Sequence, residues 1–425
     1  MLTGLWINEA GPLGASIALL VGGIGVAVVG FNYAIVAQKF PLAGGEMVYA
    51  QQFFGHKTSQ ITGYLLLLLF LSVAAFEGIA VAWVLSILIP SLRNSPVYHA
   101  LGQEVYGFDL AVAIGGTFTL VVLTKRGASS SGKTQNILVC LFAIASLCFI
   151  SLGLASTEKS NLQPLIAASS NNSYITNILK VLAITPFMYA GFNCIPQAVP
   201  EASNATLKIL PRIVLLCVLV SGLFYVLVIF ATAGVMHRSE LLNQELPVAR
   251  AMEVAFNSRA IANIVLCAGL LGLITTWNAM FFASTRLMSA MAGQRLLPSV
   301  LAIKDATTGA PRTAILLTAA ISGTAMFLGR GFVVPIVNTG STIISFMFLL
   351  VCLGLFKDNL CEKNKVVSER LYSFVGILIS GFLFLLSLHG QYQDSHYLIP
   401  IEWLILTVWL LMAASINVLI NKFYQ

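Results

Sequence analysis

Along this chain apolar residues neither alternate with polar ones nor gather into narrow stripes. They run on, interrupted by short polar punctuation. Runs of about 20 apolar residues match the length a helix needs to cross a hydrocarbon core. They recur near 12–36, 60–90, 108–124, 135–156, 176–199, 210–235, 260–285, 312–329, 333–356, 371–389 and 397–420. The pattern predicts an all-α, polytopic membrane protein with eleven full transmembrane helices. The polar stretches between the runs are only loop-sized, so no soluble domain is expected.

Composition agrees. The 425 residues are 58% hydrophobic and only 9% charged, with mean hydropathy +0.90, outside the range of soluble globular domains. The net charge of +7 does not point to nucleic acid, because the basic residues sit in short loops between spans. Loops alternate in charge. The segments 37–59, 125–134, 200–212, 286–312, 357–370 and the C-terminal tail carry sixteen Lys and Arg, and the opposite loops six. Cytoplasmic loops hold the excess of Lys and Arg, so the first set and the C-terminus are expected inside the cell membrane. Eleven spans then put the N-terminus outside. The seven cysteines are scattered through apolar runs without CxxC spacing; they read as packing residues. No metal site and no cofactor are expected.

One motif argues for the wrong chemistry. "GASSSGKT" (127–134) fits the phosphate-binding pattern G-x-x-x-x-G-K-[ST]. That loop works between a strand and a helix of a soluble α/β core. Here both flanks are membrane spans, so nucleotide is rejected as a partner and a basic turn is expected.

Glu77 lies deep in "LLLLLFLSVAAFEGIAVAWVLSIL" (65–88). A charged side chain at that depth costs at least ~2.5–3.5 kcal/mol and normally faces a cavity or a partner. Glu77 is therefore the candidate for ion or proton coupling, against a purely structural interhelical hydrogen bond.

"AITPFMYAGFNCIPQAVPEA" (183–202) falls in an apolar run yet holds Pro186 and Pro196, with Gly191 and Asn193 between them, before Pro200 and Glu201. Irregular backbone at membrane depth is tolerated where it lines a cavity, and broken helices near the midplane are a binding-site signature of secondary transporters. A kink used only for packing is the other possibility. Thr275, Thr276 and Asn278, with Asn338, Thr339, Ser341 and Thr342, form further polar spots in spans. Taken singly, such Ser and Thr often bond their own helix.

Four segments in order resemble the amino acid–polyamine–organocation transporters, and the likeness covers nearly the whole chain. They are "FPLAGGEMVYAQQFFG" (40–55), "YAGFNCIPQAVPEA" (189–202), "GLITTWNAMFFASTRLMSAMAGQRLLP" (272–298) and "APRTA" (310–314). The resemblance implies a five-plus-five inverted repeat of the LeuT type with two further helices. It divides the single transporter domain into 1–156, 176–356 and 371–420. It implies amino-acid binding at Ala190, Gly191, Phe192, Asn193 and Cys194, with Phe192 as a gate over the ligand and Asn278 nearby. The expected function is secondary amino-acid transport by alternating access, by proton coupling or exchange. The alternative is a non-transporting sensor, a subunit or a decayed permease. No carboxylate lies within 183–199, which favours neutral substrates. "AGPLGA" (10–15) resembles the turn between the family's first two helices, and few residues precede it. The resemblance therefore implies a chain shortened at its N-terminus, with an incomplete first repeat.

Overall fold

The computed structural model describes residues 2–424 except 43, 93–94, 101, 127, 168–172, 196–203, 242–245, 362–366 and 395–399. Each expected span has its helix. In chain order the helices are α1 (Leu2–Lys39), α2 (Glu46–Phe54), α3 (His56–Leu88), α4 (Gly107–Lys125), α5 (Ala128–Ala155), α6 (Tyr174–Ala183) and α7 (Thr185–Met188). There follow α8 (Asn204–Val235), α9 (Arg238–Leu241), α10 (Pro247–Phe256), α11 (Arg259–Gly293), α12 (Arg312–Ala325), α13 (Val333–Cys361), α14 (Val367–Asp394) and α15 (Ile401–Tyr424). Among the described residues nine helices are long and apolar enough to cross a membrane, and Tyr174–Ala183 and Arg312–Leu328 are shorter apolar helices. The two short ones are the expected spans 176–199 and 312–329. The first is broken within its length. The second stops at Gly329, whose φ of 66° lies where a helix cannot continue.

Hydropathy conceals unequal roles. The most apolar stretch of α3 is 94% buried inside the protein, that of α13 78% and that of α1 67%. Those of α4, α5, α8, α11, α14 and α15 are buried to 28% or less. The first three form the centre, and the others turn apolar faces such as Phe118, Leu216 and Leu404 outward, where lipid replaces protein as the apolar medium.

α1 begins ten residues before the expected span. Gly11 interrupts it at φ 74°, ψ 168°, with Pro12 next. Both sides of this break meet the same partners. Trp6 packs edge-on against Tyr225, Tyr225 packs edge-on against Tyr189, and the Tyr189 hydroxyl donates to the Leu19 carbonyl at 2.8 Å. Residues 6 and 19 thus lie at one level, and the chain turns back between them. The loop 165–167 caps the turn: Leu13 N donates to Leu165 O and Ala167 N to Ala10 O, both at 2.9 Å. A Cβ on Gly11 would stand 2.7 Å from Leu165 O and 2.8 Å from Ala167 N, so only glycine fits.

A hairpin in the loop after α3 has no counterpart in the sequence expectations. Strands β1 (Pro96–Ala100) and β2 (Gln103–Tyr106) pair antiparallel, with an irregularity between Pro96 and Tyr98. Tyr98 ties the hairpin down by donating to Phe327 O at 2.5 Å. The segment 128–134 lies within the first turns of α5, a helix where a phosphate-cradling loop would be needed; Gly127 is outside the described residues.

Candidate functional site

The stretch 183–202 is a broken helix. α6 ends at Ala183, and Pro186 sits in the first turn of the four-residue α7, where a missing N–H costs nothing. Helix stops at Met188. Gly191 then takes φ 155°, ψ −42°, and Phe192–Cys194 form a single 3₁₀ turn. Side chains take up part of the freed backbone. Tyr225 donates to Met188 O at 2.6 Å, and Asn193 Oδ1 accepts from Gly191 N at 3.4 Å. Pro196, Pro200 and Glu201 lie outside the described residues.

The break opens on a cavity of about 240 Å³. Ala190, Asn193 and Cys194 line it from the broken helix, and Glu77 lines it from α3. The rest of the wall is mostly apolar or aromatic: Leu69, Phe70, Val73, Phe76, Phe187, Met188, Met280 and Ile344, with Leu2 reaching in from the first arm of α1. Glu77 is 5% exposed, and its Oε2 has no hydrogen-bond partner. Asn193 Nδ2 is likewise buried and unpartnered. An unpartnered carboxyl oxygen in an apolar wall is costly, and a cation or a proton arriving through the cavity relieves that cost. One carboxyl group facing apolar walls suits a small molecule with an ammonium group and an apolar body.

Of the residues expected at the site, Glu77, Ala190, Asn193 and Cys194 come together on one cavity. Three do not line it. Gly191 is exposed, and a Cβ there would meet nothing within 4 Å. Phe192, expected over the ligand, is buried in a ring cluster instead. It stacks on Phe348 with centroids 5.5 Å apart, and Tyr33 stands edge-on at 5.4 Å. The reason is rotation: a 3₁₀ turn follows Gly191 and carries residue 192 away from the face that presents Ala190 and Cys194. Asn278 spans from α11 to α5, its Nδ2 donating to Gln135 Oε1 at 3.1 Å. Its neighbour two residues back, Thr276, lines the cavity in its place.

Residues that sequence reasoning missed are Tyr225, Met280 and Leu2. Tyr225 sits in "SGLFYVLVIF" of α8, where an aromatic in an apolar run gives no signal. Cys194 Sγ lies 3.8 Å from Met280 Sδ, a soft contact closing one side of the cavity.

Comparison with known proteins identifies the family. The family described as "Amino acid permease" matches residues 2–412. A methylthioribose transporter of Bacillus subtilis is 23% identical, over 97% of this chain and 87% of its own. A branched-chain amino acid permease of Lactococcus lactis subsp. cremoris is 25% identical, over 82% of this chain and 74% of its own. An aspartate-proton symporter of Bacillus subtilis is 22% identical, over 74% of this chain and 60% of its own. The expected shortening at the N-terminus is not borne out: the family match begins at residue 2, in the arm that delivers Leu2 to the cavity. With a match over nearly its whole length, an all-α membrane architecture and a cavity at a broken helix, this chain belongs to the amino acid permease family of transporters.

Proposed function

We propose that this transporter carries neutral amino acids, or closely similar small zwitterions, by proton-coupled alternating access. The observation that carries the reading is Glu77, which lines an apolar cavity beside the broken helix and whose buried Oε2 is unpartnered. A volume of about 240 Å³ is at the small end for ligand pockets and suits a single amino acid. The carboxyl group takes a proton at one stage of the cycle and faces the substrate ammonium at another. A membrane-embedded acid facing a cavity is the usual arrangement of proton relays.

The walls favour an apolar side chain, because a charged one would lose its water against Phe70, Val73 and Ile344. The names of relatives support amino acids as the substrate class, and one of them is named a proton symporter. The charge asymmetry of the loops supports a cell-membrane location with the C-terminus inside. The inverted repeat divides as 1–156 and 176–356, with 371–420 accessory. On this orientation the end bearing Lys39 and Lys357 is the inner one, and the turn at Gly11 lies outside.

The test is uptake by the purified chain in proteoliposomes. A panel of labelled neutral, cationic and anionic amino acids is offered with and without an inward proton gradient. Saturable uptake of neutral members, stimulated by the gradient, is expected. Uptake confined to charged members, or none at all, would overturn the proposal.

A further inference from the structure

A second carboxyl group, outside the cavity, is as isolated as Glu77. Glu46 opens α2, a nine-residue helix too short to span, at the end of the molecule that bears Lys39 and Lys357. It is wholly buried, and neither of its carboxyl oxygens has a hydrogen-bond partner. The hydroxyls of Tyr33 on α1 and Tyr49 on α2 are buried and unpartnered as well. Glu46 lies close enough that a charge on it acts on Tyr33, Tyr49 and Cys194. Cys194 also lines the cavity, so Glu46 sits just behind the cavity wall. Tyr33 packs edge-on against Phe192 and Phe348, which places the cluster beside the aromatic plate.

Among the described residues the groups around Glu46 give it no counter-charge. α1 supplies Tyr33, α2 its own Tyr49, and the broken helix Cys194. α13 supplies Cys352, which acts on Tyr33, and Lys357, which donates to Phe53 O at the far end of α2. From α3, Ser59 donates to Met47 O and Tyr64 to Leu296 O. Among the described residues the groups that Glu46 reaches, Tyr33, Tyr49 and Cys194, include no cation. An ionised carboxylate with neither water nor a partner is the most expensive group a protein interior can hold. A carboxylic acid is far less so.

We propose that Glu46 is a second proton-binding site of the transporter, holding a proton as a neutral acid while the inner half is closed and releasing it to water when that half opens. The step is a simple acid dissociation: the O–H bond of Glu46 breaks, water accepts the proton, and the carboxylate left behind is stabilised by hydration. Burial, opposed in part by the residue's own backbone N–H, pushes the Glu46 carboxyl up to about 8, so a hydrated and a dry Glu46 differ in protonation across the neutral range. Two glycines with positive φ, Gly44 (112°) and Gly45 (50°), precede it and fix the entry into α2, so movement of this turn changes access to the acid. The role in transport rests on the proton-coupled reading above; the protonation itself does not.

The experiment has two arms on the full chain in lipid. The first records the infrared carbonyl band of protonated carboxylic acids while pH is raised, in the wild type, Glu46→Gln and Glu77→Gln. A band that persists at neutral pH and is lost in Glu46→Gln but kept in Glu77→Gln is expected. A wild-type band unchanged by Glu46→Gln would overturn the proposal, and this arm reads the same whether or not the chain moves amino acids. The second arm compares gradient-driven uptake with substrate-for-substrate exchange. Glu46→Gln is expected to lose at least tenfold in gradient-driven uptake while exchange stays within about twofold of wild type. Equal retention of both would overturn the coupling role even if the infrared band behaves as expected. Glu46→Asp, which keeps the acid, is expected to restore part of the driven uptake.

Discussion

Phe192 lies nearly parallel to Phe348, 15° between planes and 5.5 Å between centroids, and Tyr33 stands edge-on to both. Three helical segments distant in sequence meet in that cluster: α1, the broken helix and α13. It closes the core beside the cavity and is not part of the cavity wall. Phe192→Ala is therefore expected to cost about 3–5 kcal/mol, as for other buried Phe truncations, and to lower the melting temperature in detergent sharply. Affinity of the surviving folded protein for substrate should change less than threefold. A large loss of affinity at unchanged stability would put Phe192 back over the ligand.

The turn of α1 gives a sharper test of backbone shape. Gly11→Ala meets both a positive φ and two backbone atoms within 2.8 Å. A loss of about 1–3 kcal/mol is expected from the backbone strain alone, read as a lower melting temperature and lower yield. Gly115 in α4 is the control: a Cβ there meets nothing within 4 Å. Gly115→Ala should be neutral or mildly stabilising, since alanine is the better helix former.

Glu46 makes stability depend on pH. The ordinary value for its carboxyl is 4.5, and burial raises it to about 8 in the fold. Below 4.5 both folded and unfolded chains hold the proton, and nothing is lost. Between the two values only the fold holds it, so stability drains away as pH rises, and the loss is complete above 8. The melting temperature of the wild type relative to Glu46→Gln should therefore fall from pH 5 to about pH 8 and level off above it. A constant difference would show that Glu46 titrates normally.

Orientation is open to labelling. In a background freed of the exposed Cys140, Cys148, Cys217, Cys267 and Cys361, a cysteine at Ser160 should react with an impermeant reagent in intact cells. One at Ser130 should react only after permeabilisation. The reverse pattern would invert the topology.

Much of the architecture was legible in the sequence because membrane spans announce themselves by length and hydropathy. All eleven expected spans have helices, and Glu77 stands out because a carboxylate inside an apolar run is costly unless it meets a cavity or a partner. What could not be read is depth and direction. α1 and α14 have the same mean hydropathy, yet one is central and the other peripheral, since lipid and protein interiors are equally apolar. The family resemblance puts Phe192 and Asn278 at the site, but a 3₁₀ turn and a bond to Gln135 aim them elsewhere. Glu46 went unremarked for the opposite reason. It stands in "PLAGGEMVYA", polar enough to pass for a loop, and only packing shows that this loop is folded into the core. The arm Leu2–Ala10 is too short to register as a span, and a hydropathy window cannot see a helix that turns back at one glycine.

The central claim is that a proton on Glu77 couples to substrate movement, and uptake by Glu77→Gln measures it most directly. Glutamine keeps the size and hydrogen-bonding capacity of the acid but cannot titrate. In proteoliposomes the variant should exchange internal for external amino acid within a few fold of wild type. Its uptake should no longer respond to an imposed proton gradient. A Glu77→Gln transporter that still follows the gradient as the wild type does would contradict the account.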